Sequence, residues 1–182
     1  MSPTNNLTAR QKACLQRLGD ARDRLHTSIA GVEEGILSSE PVVDEWTVKD
    51  LIGHMISWNR EFRLNIADIL QGKHPGYDHK IPDTNDFAES NQAWIESKKD
   101  WTFEKMLDDL EQDFNDAVDL ILNLTPKELR LRGVTPWKDA ADTKPAEPTT
   151  RETDSVETLI NYHWRHMNMH TKQIEKWREK IG

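Results

Sequence analysis

A chain of 182 residues with a net charge of -8 and 31% charged residues is long enough to bury a core of its own, and one domain spanning residues 1–182 is expected. The negative balance, with Glu104, Asp108, Asp109, Glu111, Asp113, Asp116 and Asp119 crowded onto one stretch, argues against nucleic acid and anionic membrane surfaces as partners. No apolar run approaches the roughly 20 residues that span a bilayer, MSPTNNLTARQ carries no hydrophobic signal core, and the one cysteine, Cys14, suggests a reducing compartment, so a cytoplasmic location is expected.

Thr8 and Gln11, three residues apart, form a capping box. Behind them Cys14, Leu18, Ala21, Leu25, Ile29, Val32 and Ile36 keep one apolar stripe, which predicts a first helix ending before Pro41. Thr47 and Asp50 repeat the cap and open a second helix whose stripe is Val48, Leu51, Met55, Trp58, Phe62, Ile66 and Ile69, stopped by Gly72 and Pro75. Residues 72–101 are too long for a hairpin connection and hold a short extra helix near 84–98. Such a connection could cross the bundle and let the helices on either side run parallel. A third helix starts after Thr102 with Phe103, Met106, Leu110, Phe114, Ala117, Ile121 and Leu124, and stops at Pro126. Residues 131–152, with Gly133, Pro136, Trp137, Pro145 and Pro148, show no period and read as a long loop, either a pocket wall or a surface segment. A fourth helix opens near Asp154, with Glu157 three residues on, and runs nearly to the end. Four long helices and no alternating strand give an all-α, four-helix bundle.

The last helix is unusual. Val156, Leu159, His163, His166, His170, Ile174, Trp177 and Ile181 recur at spacings of three and four, so imidazoles occupy three successive core positions. Buried polar rings cost stability unless each finds a hydrogen bond or a ligand. His166 and His170 are one turn apart, about 6 Å between their Cβ atoms, and can grip one ion. His54, on the polar edge of the second helix beside Asp50, Glu61 and Asn65, is the natural third ligand. His163 shares the face and could be a fourth ligand, a partner behind the ligands or a proton carrier. Three neutral imidazoles with one position left for water match a catalytic rather than a closed centre, and nitrogen donors suit zinc, nickel, copper or iron, with zinc or nickel first. His26, His74 and His79 read as surface or loop residues.

Two segments, Trp46-Thr47-Val48-Lys49-Asp50-Leu51-Ile52-Gly53-His54 and His166-Met167-Asn168-Met169-His170-Thr171-Lys172-Gln173-Ile174, resemble the signature helices of the DinB/YfiT-like superfamily. Residues Asn85 through Leu124 are also similar to its ClbS/DfsB branch, which includes a cyclopropane hydrolase protecting its host from a genotoxin. The resemblance implies an up-down-down-up bundle with a long crossover between helices two and three. It implies that His54, His166 and His170 hold a divalent metal, and it allows a homodimer. Thr171-Lys172 stands where the superfamily often has Arg-Gly.

Three functions are compatible with this pattern. The first is a metal-dependent hydrolase acting on a small reactive molecule, with Glu61 as general base unless it is a solvated charge, Tyr162 as donor to a developing anion, and Trp58, Trp137 and Trp164 as pocket walls or simple core. The second is an S-transferase or isomerase using a low-molecular-weight thiol such as bacillithiol, mycothiol or glutathione. Cys14, on a core stripe, reads as inert packing. The third is a non-catalytic protein that sequesters a small molecule.

Overall fold

Both capping boxes form. The computed structural model describes residues 7–73, 87–133 and 153–181. In it Thr8 Oγ1 accepts from the Gln11 backbone N–H at 3.2 Å while Gln11 Oε1 accepts from the Thr8 backbone N–H at 3.0 Å, opening α1 (Ala9–Ile29). The predicted first helix does not continue to Pro41. Ala30 turns extended at φ -60, ψ 132 and Gly31 follows at φ 74, a conformation that costs glycine nothing and ends the helix. The apolar stripe resumes in a separate short helix, α2 (Glu34–Ser39), through the buried Leu37. Two brief antiparallel strands, β1 (Pro41–Val43) and β2 (Trp46–Thr47), then bring the chain to α3 (Val48–Leu70), where Thr47 and Asp50 make the second box.

The short extra helix is described as α4 (Phe87–Glu96), within the expected 84–98; residues 84–86 lie outside the described ones. Thr102 caps α5 (Phe103–Asn123) by accepting from the Lys105 N–H at 3.1 Å. A 3-10 turn at Glu128–Arg130 follows, then β3 (Arg132–Gly133), which pairs antiparallel with β4 (Asp154–Ser155). Strands this short carry no readable alternation. Most of the predicted loop, residues 134–152 with Trp137, lies outside the described residues. The final helix, α6 (Val156–Ile181), is capped one residue later than expected. Ser155 Oγ accepts from the Thr158 N–H at 3.0 Å, whereas Asp154 is buried and accepts from the Tyr162 hydroxyl at 3.1 Å.

Contacts along the helices fix their directions. Arg10 pairs with Glu157 and Arg24 with Glu175, so α1 and α6 run parallel. Arg22 meets Glu111, and Gln11 meets Leu124, so α1 and α5 are antiparallel. Arg63 reaches Asp116 at 3.5 Å and forms an ion pair with Asp113, while the space beside Gly53 is filled by Met106; α3 and α5 are therefore parallel. His54 faces His170, and Phe62 faces Tyr162, which makes α3 and α6 antiparallel. The bundle is up-down-down-up. Two parallel neighbours in sequence, α3 and α5, need a connection that returns the length of the bundle, and α4 sits on that return path. Leu18, Leu25, Leu51, Ile52, Ile121 and Ile174, each under 2% exposed, sit in the core. Among the described residues no helix is long and apolar enough to cross a membrane.

Gln11 does two jobs. Besides closing its own cap, its Nε2 donates to the carbonyls of Ile121 at 3.0 Å and Leu124 at 2.8 Å, acceptors that the end of α5 leaves without helical partners. Replacing Gln11 by leucine strands both carbonyls and is expected to cost about 2–6 kcal/mol, from about 1–3 kcal/mol per buried unpaired group, measured by equilibrium urea unfolding. A loss below about 0.5 kcal/mol, the scale of an ordinary surface change, contradicts this account.

Candidate metal centre

The antiparallel register of α3 and α6 brings three imidazoles to one point. His54 stands two turns into α3, at a depth fixed by the Thr47 cap. His166 and His170 stand one turn apart on α6. His54 Nε2 and His170 Nε2 lie 3.1 and 3.0 Å from His166 Nε2, and the ring centroids are 4.6–4.9 Å apart. His54 and His170 are buried and His166 is half-buried, so the cluster keeps one accessible side. Among the described residues this is the group of His, Cys, Asp or Glu side chains whose donor atoms gather closely enough to hold an ion.

The protonation states follow from the surroundings. Burial pushes the His54 imidazole down to about 3, helped by His170 and Lys98. Burial also holds His166 well below its ordinary value, with His170, His54 and His163 adding to it. His170 is lowered by burial against a hydrogen bond from its Nδ1 to Gln173 Oε1 at 2.7 Å. With an amide oxygen as partner, Nδ1 carries the proton, so the Nε2 lone pair of His170 points into the cluster. At each pairwise contact of two Nε2 atoms one must donate, and His170 Nε2 has no proton to give, so at its contact the proton has to come from His166 and the cluster is left short of donors. Three converging nitrogens on neutral rings are what a dication takes. Zinc–nitrogen bonds of about 2.0–2.1 Å in tetrahedral geometry put donors roughly 3.3 Å apart, near the observed spacing, and the residues present fit such an ion.

Aromatic rings wall the cluster. Trp46 lies 5.0 Å from His54, Trp58 lies 6.4 Å from His54 and 6.2 Å from His166, and Phe62 lies 6.2 Å from His166. Trp58 was expected as a wall from the sequence. Trp164 was too, but it turns toward α1, with the Arg17 guanidinium 5.6 Å from its ring.

His163 belongs to a different neighbourhood. It sits a turn nearer the start of α6 than His166, and a helical side chain leans toward the N-terminus. Its Nε2 lies 3.5 Å from Asp113 Oδ2, beside the Arg63–Asp113 pair, and not among the gathered nitrogens. Tyr162 donates to Asp154 and packs its ring on Phe62 at 6.1 Å. Glu61 is buried and lines a cavity of about 730 Å³ between α3, α4 and α5, which also takes in Ser57, Trp94, Lys98 and Trp101. Ser57 and Lys98 were not singled out in the sequence, where a lysine in a Lys-Lys-Asp run reads as a solvated charge. Cys14 is buried, and burial together with Glu157 pushes its thiol up, as expected of a packing thiol. His26 holds Glu111 at 2.6 Å on the α1–α5 face; His74 and His79 lie outside the described residues.

Comparison with known proteins adds three findings. The model of the DinB superfamily matches residues 17–174. Among solved structures, YfiT from Bacillus subtilis, characterised as a probable metal-dependent hydrolase with an unusual four-helix bundle topology, aligns with a TM-score of 0.67 and 17% identity over 100% of this chain and 94% of its own. DfsB, a sibling lethal factor precursor, aligns with a TM-score of 0.70 and 16% identity over 96% and 98%. The colibactin self-resistance protein ClbS, in complex with double-stranded DNA, aligns with a TM-score of 0.68 and 14% identity over 91% and 93%. No curated protein matches the chain.

The ClbS complex corrects the expectation that nucleic acid is excluded as a partner, because a bundle of this fold holds DNA. Net charge is a sum over the whole molecule and does not describe one face. Here several carboxylates of the acidic stretch are engaged internally, Glu111 by Arg22 and His26, Asp113 and Asp116 by Arg63.

Burial, with the Arg63 cation beside it, pushes His163 down to about 3 from an ordinary 6.5, overriding the nearby Asp113. The unfolded chain therefore takes up this proton first, and stability that is complete above about pH 6.5 drains away as pH falls toward about 3. Urea unfolding between pH 7 and 4 is expected to show His163→Gln losing stability less steeply than the parent, by on the order of 1 kcal/mol per pH unit. Parallel curves for the two proteins would refute it.

Proposed function

Because the chain belongs to the DinB superfamily, we propose that it holds a divalent metal, zinc or nickel, on His54, His166 and His170 and hydrolyses or otherwise detoxifies a small reactive molecule. The observation that carries this reading is the convergence of three neutral Nε2 atoms, one of them fixed as a lone-pair donor by Gln173. YfiT, of the same fold, is characterised as a probable metal-dependent hydrolase, which supports the same class of chemistry. When bound, the ion supplies Lewis acidity and brings the pKa of a coordinated water near neutrality.

The remaining parts are played by the chain's own residues. Gln173 keeps the His170 ring in its tautomer and orientation. Trp46, Trp58 and Phe62 exclude bulk water and give the pocket an apolar wall, which strengthens every charge interaction inside it. Glu61, a buried carboxylate two turns beyond His54, is the proposed proton acceptor. Tyr162, which donates to Asp154, and His163, a neutral ring packed beside Asp113, are proposed as positioning residues that brace the start of α6 below the cluster. The single buried cysteine fits a reducing compartment, and a thiol co-substrate, if used, comes from outside the chain.

Elemental analysis of protein purified without an affinity tag tests the proposal. Stoichiometric zinc or nickel is expected, together with metal-free preparations of His54→Ala and His166→Ala that stay folded by circular dichroism. Chelation is expected to lower the unfolding temperature of the parent only, since an ion that binds the native state alone stabilises it by mass action. Metal-free parent protein, or variants that retain the metal, overturns the reading. Turnover of model esters and epoxides with and without added glutathione then separates hydrolysis from thiol transfer.

A further inference from the structure

Lys98 is a cation taken out of water without a counter-ion. It is 8% exposed, its Nζ donates to Ser57 Oγ and to the Trp94 carbonyl at 3.3 Å, and it lies 5.8 Å from the centre of the Trp101 ring. All three partners are neutral. The flanking lysines behave otherwise: Lys99 pairs with Glu96 and Lys105 with Asp109, whereas Lys98 has no carboxylate within ion-pair distance among the described residues. Desolvation pushes its ammonium down to about 8, with Arg60 acting in the same direction and Asp109 against it. An unpaired buried charge costs several kcal/mol, so its retention asks for a compensating partner.

The space next to it supplies one. Lys98 and Ser57 line the cavity of about 730 Å³ with Trp94, Trp101 and Arg60, a volume that suits a small molecule. The carboxylates of Glu61 and Asp109 line it too, Asp109 being paired with Lys105. At the far end of that cavity Arg63 is already occupied by Asp113 and Asp116. Gly53 lets the lysine lie there: a Cβ at this position would stand 3.5 Å from Lys98 Cδ and 3.4 Å from Met106 Cε, so any side chain larger than alanine displaces the lysine stem. Ser57 follows His54 by one helical turn, which places the cationic end of the cavity one turn along α3 from the imidazoles.

We propose that this cavity binds the anionic oxygen group of a small organic acid with an apolar body, and that the Lys98 ammonium is its counter-ion, with Ser57 orienting the ammonium and Trp94 and Trp101 enclosing the apolar part. The inference deepens the proposed function by naming the substrate class, and rests on it only in taking this cavity, which none of the three imidazoles lines, as the place where substrate sits. A carboxylate and a phosphonate share the chemistry required.

Benzoate, phenylphosphonate and neutral benzamide are the probes, titrated against the full chain by tryptophan fluorescence, with metal content measured on the same samples. Benzoate or phenylphosphonate is expected to saturate the protein, and whichever binds tighter identifies the group preferred. Lys98→Met is expected to weaken that anion roughly tenfold or more, the scale of a charge-assisted hydrogen bond, and to leave benzamide unchanged. Lys98→Arg keeps part of the anion affinity. Thermal unfolding guards against misfolding: Lys98→Met is expected to match or exceed the parent, since it removes a buried unpaired charge. Anion affinity unaltered in Lys98→Met, equal binding of benzamide and benzoate, or no saturation by either anion overturns the inference. Lys98-dependent binding in metal-free protein sustains it while the metal reading fails; stoichiometric metal without anion discrimination does the reverse.

Discussion

Three buried neutral imidazoles that meet through one nitrogen each have more lone pairs than protons to share, and this is the constraint on which the rest of the bundle turns. Around His54, His166 and His170 the helices keep three ring nitrogens at contact distance, an arrangement that a positive guest would stabilise. The rigid parts of the fold supply that arrangement. Capping at Thr47 sets the phase of α3, the turn-to-turn repeat of α6 sets the pair, and the antiparallel packing of the two helices brings both to one depth.

The topology explains why the bundle has a cavity on another side of α3 besides the histidine cluster. With α1 and α6 parallel and joined by Arg24–Glu175 and Arg10–Glu157, the two middle helices are parallel as well, and the chain has to travel back between them. That return carries α4 across α3, so that Trp94 packs on Trp58 at 5.2 Å, Asn91 accepts from the Trp58 indole at 2.9 Å, and Lys98 arrives over Gly53. A simple antiparallel hairpin between these helices would leave neither the cavity nor the lysine. Connection length, a feature of the sequence, thus becomes a feature of the pocket.

Much of this was legible in the residues because it is governed by local chemistry. Capping boxes at Thr8 and Thr47 and the stripes of α3, α5 and α6 follow from hydrogen bonds and periodicity within one helix, and the spacing of His166 and His170 is a one-turn relation. What escaped depends on partners distant in sequence or on single backbone angles. The apolar stripe of the first helix runs through Gly31 without a gap, so periodicity could not reveal that the chain bends there. Asp154 and Ser155 are both good caps, and the choice between them depends on a partner eight residues away, the Tyr162 hydroxyl that Asp154 accepts from. His163 shares the helix face of the other two histidines, yet its depth hands it to Asp113. Trp164, read as a pocket wall or simple core, lies against α1, and the buried Lys98 carried no signal in the sequence that set it apart from its neighbouring lysine. The acidic balance, read as excluding nucleic acid, described a sum where a surface was needed.

Gln173 has a consequence beyond orienting a ring. The outer nitrogen of His170 meets an amide and not a carboxylate, and the outer nitrogens of His54 and His166 are buried with no hydrogen-bond partner among the described residues. Among the described residues, then, no negative side chain stands directly behind these three imidazoles to offset a guest's positive charge. A dication seated there keeps its full formal charge, and in a low-dielectric wall of tryptophan and phenylalanine that excess is felt strongly. Chloride, azide and other small inorganic anions should then compete for the open side, making the choice of buffer salt a determinant of what the pocket admits.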